Sequence, residues 1–256
     1  PVTLITRGYE SLLETHPSVR SIRNVGSVDW FKCLDALRNS YHALADIRLA
    51  CGKWYGAPPV SGLDTLDDYY YRFPNRMVEL ERYGLHQVQL ADKTLGLPYQ
   101  TIETYTYTEG ESPTKSSYIL VSTGVDAIHQ GRSQTKQWPY WTPCMEPYLK
   151  DVVQVGTQYD PPIPGTHNLC GQTSLTELVG LIRGASVIVC CEGGIMHLAY
   201  SCKQPNTIVL RGPTRGKLFE YPGLTYLDSY VCHPCWSTDS EWVWKCPLGI
   251  DSVCMK

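Results

Sequence analysis

Two short, nearly unbroken apolar runs constrain this chain most: residues 117–122 (SYILVS) and 186–191 (SVIVCC). Neither shows the every-other-residue polar positions of a strand with one wet face, so each reads as a strand covered on both sides. Strands of that kind belong to parallel sheets, in which helical crossovers cover the faces. Between the two runs, residues 152–155 form a further short strand pattern. Residues 174–183 then place Leu175, Leu178, Val179 and Ile182 at helical spacing. Ser174 or Thr173 is set to cap that helix, and Glu177 completes a capping box with Ser174. After the second run come a helix pattern at 195–202 and a strand at 207–210. This succession predicts a doubly wound α/β domain.

The first part of the chain also alternates strand and helix patterns. Residues 2–6 and 19–25 read as strands, 8–15 as a helix, and 30–51 as an amphipathic helix with Phe31, Leu34, Leu37, Leu44, Ile47 and Ala50 on one face. Residues 54–74, rich in Pro, Gly, Asp and Tyr, read as loop, and 76–95 as another helix. The polar, turn-forming segment 110–115 (GESPTK) is the best linker. The expected organisation is an N-terminal α/β domain over 1–112, a C-terminal α/β domain over 116–228, and a cysteine-rich tail over 229–256.

Composition narrows the partners. Hydrophobic residues make up 43% and charged residues 18% of the chain, as in ordinary folded domains, so disorder is excluded. The net charge of -3 and 22 scattered Lys and Arg give no basic field for a phosphate backbone, which argues against nucleic acid as a partner. No apolar run reaches the ~18 residues of a membrane span. The chain opens directly on the strand-like stretch 2–6, with no charged leader and apolar segment, and reads as cytoplasmic.

The junction between the strand 186–191 and the next helix is the first candidate site. In open parallel sheets ligands sit at the carboxyl ends of strands, where helix N-termini aim N–H groups outward. Glu192-Gly193-Gly194 lies there, and His197 follows in the first helical turn. Two glycines let a backbone approach a ligand with no Cβ in the way, and the helix end favours a diphosphate. On this motif alone, a tight bend with a core histidine is the competing reading.

The surrounding pattern points further. Residues 168–178 (NLCGQTSLTEL), the apolar strand, EGGIMHLAY over 192–200, Gln204-Pro205 and Leu210-Arg211-Gly212-Pro213-Thr214 resemble the C-terminal domain of the ADP-heptose heptosyltransferase family, glycosyltransferase family 9. Thr135-Lys136-Gln137-Trp138-Pro139 looks like that family's Lys-x-Trp motif, and residues 2–25, with His16-Pro17-Ser18-Val19, look like its second strand and helix. The resemblance implies a GT-B architecture of two Rossmann-like domains. It also implies an inverting transfer of a sugar, a heptose among the candidates, from a nucleoside diphosphate. An ADP-sugar is the favoured donor, and the acceptor is a hydroxyl of a glycan, a lipid A-core or a protein. Ser133, Thr135, Lys136, Glu192, Gly193, Gly194 and His197 would bind the donor, with Lys136 on the diphosphate and His197 assisting the departing group. No obligatory Mg²⁺ is expected, because a lysine and a helix end neutralise the leaving group. Peripheral contact with a membrane is compatible with the implied role in lipopolysaccharide biosynthesis.

The chain departs from the pattern in several places. Family members carry a general-base Asp on a loop after their first strand, and no such segment precedes Val2. The N-terminal domain is therefore expected to lack its usual first strand and helix, leaving the base unassigned. A non-catalytic sugar-nucleotide-binding protein is the alternative, as is a scaffold carrying a metal-binding tail. Glu192 replaces the usual Asp, and Gly193 a hydroxyl residue. For the family's acidic ribose contact the chain offers Asp160 among prolines, or nothing.

Of eleven cysteines, Cys33, Cys51, Cys144, Cys170, Cys190, Cys191 and Cys202 are dispersed through predicted elements and read as core-filling thiols. Cys232, Cys235, Cys246 and Cys254 crowd into the tail. Cys232-His233-Pro234-Cys235 is a C-x-x-C knuckle, and four soft ligands suit a tetrahedral Zn or Fe ion. Buried thiols without metal remain the competing reading, and a disulfide is the third; His233 is a spare ligand.

Overall fold

The computed structural model describes residues 2–6, 19–24, 44–46, 53–55, 84–95, 98–102, 104, 106, 117–125, 134–214, 216–232, 234–235, 242 and 244–256. By its contacts the chain divides into two compact units. One comprises Pro1–Tyr71 and Gln87–Tyr105, the other Arg72–His86 and Thr106–Lys256.

In the first unit, β1 (Val2–Thr6) pairs in parallel with β2 (Val19–Asn24), as the two β-branched stretches predict. The expected helix over 30–51 is overturned where the structure describes it. Leu44–Asp46 is a strand, β3, paired antiparallel with β4, Lys53–Tyr55. A partner strand decides so short a pairing, and helical periodicity carries no trace of the partner. The helix expected over 76–95 is realised as α1 over Gln87–Leu95. It does not reach back past Gly84, whose φ of +60° no right-handed helix accommodates. The Gln89 amide donates to the Tyr99 carbonyl at 2.9 Å, tying α1 to the segment after it. The helix expected at 8–15 and the linker at 110–115 lie outside the described residues.

The second unit is built on one parallel sheet. Its strands are β5 (Ile119–Ser122), β6 (Val152–Gln154), β7 (His167–Asn168), β8 (Val187–Cys191), β9 (Thr207–Arg211) and β10 (Thr225–Asp228). The spatial order is β10-β9-β8-β5-β6-β7. Counted from β5 as the first, this is the 3-2-1-4-5-6 order of dinucleotide-binding sheets, with the switch point between β5 and β8. The two apolar runs are thus the central pair: Leu120 lies opposite Ile188 and Val121 opposite Val189, where both faces are covered.

Helix α2 (Trp141–Met145) follows β5, α3 (Leu175–Gly184) follows β7, and α4 (Gly194–Ser201) follows β8. The capping box is present as read: the Glu177 N–H donates to Ser174 Oγ, and the Ser174 N–H donates to the Glu177 carboxylate. At the other end of α3 the Gln204 side chain donates to the carbonyls of Ile182, Arg183 and Ala185, satisfying groups a helix end leaves open. The core gathers Val121, Trp141, Met145, Val152, Ile163, Cys191 and Leu210 with Cys254 and Met255, so the end of the cysteine tail packs into the domain.

Gly124 and Gly156 close β5 and β6 under one constraint. A Cβ on either would run into the Asp160 carboxylate, which accepts from the Thr157 N–H at 3.1 Å and the Thr157 hydroxyl at 2.5 Å. Asp160 is buried and belongs to this clasp. Of the cysteines read as core, Cys190 and Cys191 are buried, Cys170 and Cys202 partly so, and Cys144 is exposed at the outer face of α2. None of the described cysteines is in a disulfide. Among the described residues no helix is long and apolar enough to cross a membrane.

Candidate functional site

The chain path brings sequence-predicted residues to the carboxyl ends of β5 and β8. Lys136 stands in a single 3-10 turn, Gln134–Lys136, on the connection after β5, and Glu192 directly follows β8. The Lys136 ammonium donates to Glu192 Oε2 at 2.5 Å, with side-chain exposures of 12% and 7%. Burial alone pushes the Glu192 carboxyl up. Lys136 outweighs it, with help from His197 and Thr214, and holds the group below the ordinary carboxylate range. Thr135 and Thr214, both buried, flank this pair along the chain and in space. Ser133 lies outside the described residues.

Helix α4 starts immediately beside the ion pair. No side chain caps it: Gly193 occupies the cap position without a side-chain hydrogen bond, so the first-turn amides face outward with the positive end of the helix. A Cβ on Gly193 or Gly194 would meet nothing within 4 Å, so their lack of a side chain is not a demand of the protein's own packing.

His197, in the first turn of α4, lies within electrostatic reach of both Glu192 and Lys136. Burial lowers its basicity, Glu192 opposes that effect and Lys136 adds to it, leaving the imidazole below its usual range. Its Nδ1 is 2.9 Å from the Tyr221 hydroxyl. The Tyr221 ring stacks on Tyr200 at 4.1 Å and lies 4.3 Å from the ring of His86. Burial, followed by the charge of His197, pushes His86 down to about 3, so it is neutral at physiological pH. None of His86, Tyr200 and Tyr221 was legible as a site residue. They come from three separate segments; Tyr200 ends the EGGIMHLAY motif without being singled out there, and His86 and Tyr221 match no motif.

A second set of contacts fixes the loop after β9. Arg211 forms a two-pronged pair with Asp228 of β10, Nε to Oδ1 and Nη2 to Oδ2, both 2.7 Å, and its guanidinium lies 3.9 Å from the centre of the Tyr226 ring. The Tyr226 hydroxyl in turn accepts from the Tyr221 N–H at 2.6 Å. The Gly212-Pro213-Thr214 loop is backed by the tail: the Cys235 N–H donates to the Pro213 carbonyl at 3.1 Å, and a Cβ on Gly212 would strike Cys254 and Met255.

Cys232, Cys235, Cys246 and Cys254 line one small cavity with Thr135, Pro213 and the apolar side chains of Leu248, Ile250 and Val253. Burial alone would raise the Cys246 thiol, but hydrogen bonds from the backbone at Ser252, Ile250, Leu248 and Gly249 bring it below the usual thiol range. Among the described residues, no group of three or more His, Cys, Asp or Glu side chains is drawn into a coordination sphere. The four thiols share a cavity, and within it Cys254 lies within side-chain hydrogen-bond reach of Cys232 and electrostatic reach of Cys246. His233 lies outside the described residues.

Residues 157–237 match the family model of glycosyltransferase family 9 (heptosyltransferase). No curated protein matches the chain in sequence. Among solved structures, the glycosyl transferase family 9 protein from Veillonella parvula is similar at 11% identity and a TM-score of 0.54, over 88% of this chain and 75% of that one. E. coli ADP-heptose LPS heptosyltransferase II is similar at 15% identity and a TM-score of 0.52, over 90% of this chain and 82% of that one. The dodecameric iron-containing heptosyltransferase TibC, solved with ADP-D-β-D-heptose, is similar at 18% identity and a TM-score of 0.51 over 64% of this chain. This chain spans 46% of the length of TibC. At these identities the likeness shows the fold, an α/β Rossmann-like one, as the apolar strands predict.

Proposed function

We propose that this chain, whose residues 157–237 match the family model of glycosyltransferase family 9 (heptosyltransferase), moves a sugar from a nucleoside-diphosphate donor to an acceptor hydroxyl with inversion. The observation that carries the reading is the buried Lys136–Glu192 pair at the switch point, set against the uncapped start of α4 and the open Gly193-Gly194 turn. Breaking a glycosyl–phosphate bond leaves extra negative charge on the diphosphate. A fixed ammonium and a helix N-terminus stabilise that charge where it develops. Before the donor arrives, Glu192 holds the Lys136 ammonium in place. An arriving diphosphate takes a share of it, while Thr135, the two glycines and His197 shape the pocket.

The relatives make ADP-linked heptose the first donor to test, with a glycan, lipid A-core or protein hydroxyl as the acceptor and the cytoplasm as the compartment. Calorimetric titration with ADP-, GDP- and UDP-sugars, in the presence of EDTA, checks the assignment. We expect an ADP-sugar to bind with micromolar affinity undiminished by the chelator. Binding of no nucleotide at all, or binding only with added Mg²⁺, would sink it.

We also infer that the tail holds a zinc or iron ion. Four thiols around one cavity are the soft donor set such ions take, and a thiol already lowered by backbone N–H groups is closer to the thiolate that binds metal. The ion would cross-link the knuckle to the segment 246–254 behind the Gly212-Pro213-Thr214 loop. Elemental analysis of the purified chain should find about one Zn or Fe per protein, falling several-fold in Cys232→Ser. A metal-free wild type purified without chelator would overturn the inference.

A further inference from the structure

Tyr221 has no counterpart among the motifs, yet the structure ties it to the site from several sides. Its ring is buried, with 3% of its surface exposed, stacked on Tyr200 and set against His86. Its backbone N–H is bound by the Tyr226 hydroxyl, and Tyr226 is fixed under the Arg211 guanidinium. A tyrosine held in this way has little freedom to swing, so its hydroxyl is a fixed point 2.9 Å from His197 Nδ1.

The proton on a neutral imidazole sits on whichever nitrogen its neighbours leave it, so the partner at Nδ1 decides what Nε2 presents. A tyrosine hydroxyl, which ionises near ~10, gives up a hydrogen bond more readily than a neutral imidazole N–H does. We infer that Tyr221 is a positioning residue: its hydroxyl donates to His197 Nδ1 and thereby fixes His197 as the Nε2–H tautomer, a hydrogen-bond donor at a site for an anionic diphosphate. The opposite tautomer would offer a lone pair at Nε2, and a lone pair repels phosphate oxygens. Among the described residues, Glu192, Lys136 and His86 lie within electrostatic reach of His197, and the contact at Nδ1 is with the Tyr221 hydroxyl. This inference rests on the proposed donor site for its consequence, and on the Tyr221–His197 contact alone for the tautomer.

The two parts are tested separately on the full chain. Imidazole ¹⁵N shifts of wild-type protein at neutral pH should show His197 as a single Nε2–H tautomer; an Nδ1–H tautomer would overturn the inference whether or not nucleotide binds. Tyr221→Phe keeps the ring stack and removes only the hydroxyl. It should mix the His197 tautomers and weaken ADP binding about 5- to 10-fold, the effect of one hydrogen bond. In a His197→Ala background the same change should cost nothing further, since its effect runs through the imidazole. Equal losses with and without His197 would show a purely structural role and overturn the inference. A wild type that binds no nucleotide would fail the donor-site reading, while the tautomer measurement still decides the role of Tyr221.

Discussion

Lys136→Ala should cost this protein both its nucleotide affinity and about 3–5 kcal/mol of stability, because it strands the Glu192 carboxylate in a site where 7% of that side chain is exposed. The two losses are separable. Adding Glu192→Gln removes the stranded charge and should recover most of the stability while leaving ADP-sugar binding weak, since the ammonium that meets the diphosphate is still absent. Urea unfolding and calorimetry on the two variants make the measurement. A single variant that unfolds like the wild type would refute the buried pair, and a double variant that regains affinity would refute Lys136 as the diphosphate ligand.

The sign of the pH dependence gives the same experiment a second axis. In the wild type the Glu192 carboxyl is held below its unfolded value of ~4.3, so the pair contributes stability above that pH and loses it as pH falls through the folded value. In Lys136→Ala burial, the largest effect on the group, is opposed only by the smaller effects of His197 and Thr214, and the carboxyl rises. That variant should therefore gain stability relative to wild type as the solution is acidified.

The second large effect is on the neighbouring strands, where Arg211 ends β9 and Asp228 ends β10. Arg211 has 2% of its side chain exposed and is matched to Asp228, with Glu220 a looser neighbour at 3.5 Å. Asp228→Ala leaves a guanidinium that cannot shed its proton, with Glu220 its remaining counter-charge among the described residues. We expect a loss of about 3 kcal/mol, or ~6–12 °C in melting temperature for a domain of this size. Replacing both partners, as Arg211→Met with Asp228→Leu, should restore much of it, because the cost lies in the unpaired charge. If Asp228→Ala melts within a degree of wild type, the pair contributes nothing to the fold. Because Arg211 also underlies Tyr226, and Tyr226 holds Tyr221, the Asp228 variant should show a disturbed His197 signal as well.

What could be read in advance follows a physical line. The central strands β5 and β8 declared themselves because burial on both faces leaves no polar position, and α3 because its cap is written in four consecutive residues, Ser174 to Glu177. The edge strands did not. His167–Asn168 is two exposed residues long, and Thr225–Asp228 is half exposed. Strands like these are made by the neighbour they pair with and carry little pattern of their own. The same division runs through the site. Lys136, Glu192 and the Gly193-Gly194 turn lie in compact motifs. Tyr221, 24 residues beyond His197, and Asp228, 17 beyond Arg211, were invisible because only the folded sheet brings them in. Cys144 shows the limit of a residue-type argument, since a cysteine in a helix need not face the core. The four tail cysteines were legible as a set, and the structure adds that the wall behind them is the loop next to Glu192.

The Asp160 clasp implies an order in which this domain can change over generations. Gly124 and Gly156 are each blocked by the same carboxylate, so no side chain can arise at either position while Asp160 is in place. Loss of Asp160 has to come first, and that step alone gives up the bonds that fold residues 157–160. Three positions on two loops are thereby bound into one inherited unit: a lineage that keeps the aspartate keeps both glycines, and one that abandons it clears Gly124 for a side chain, while the φ of +147° at Gly156 still favours glycine there.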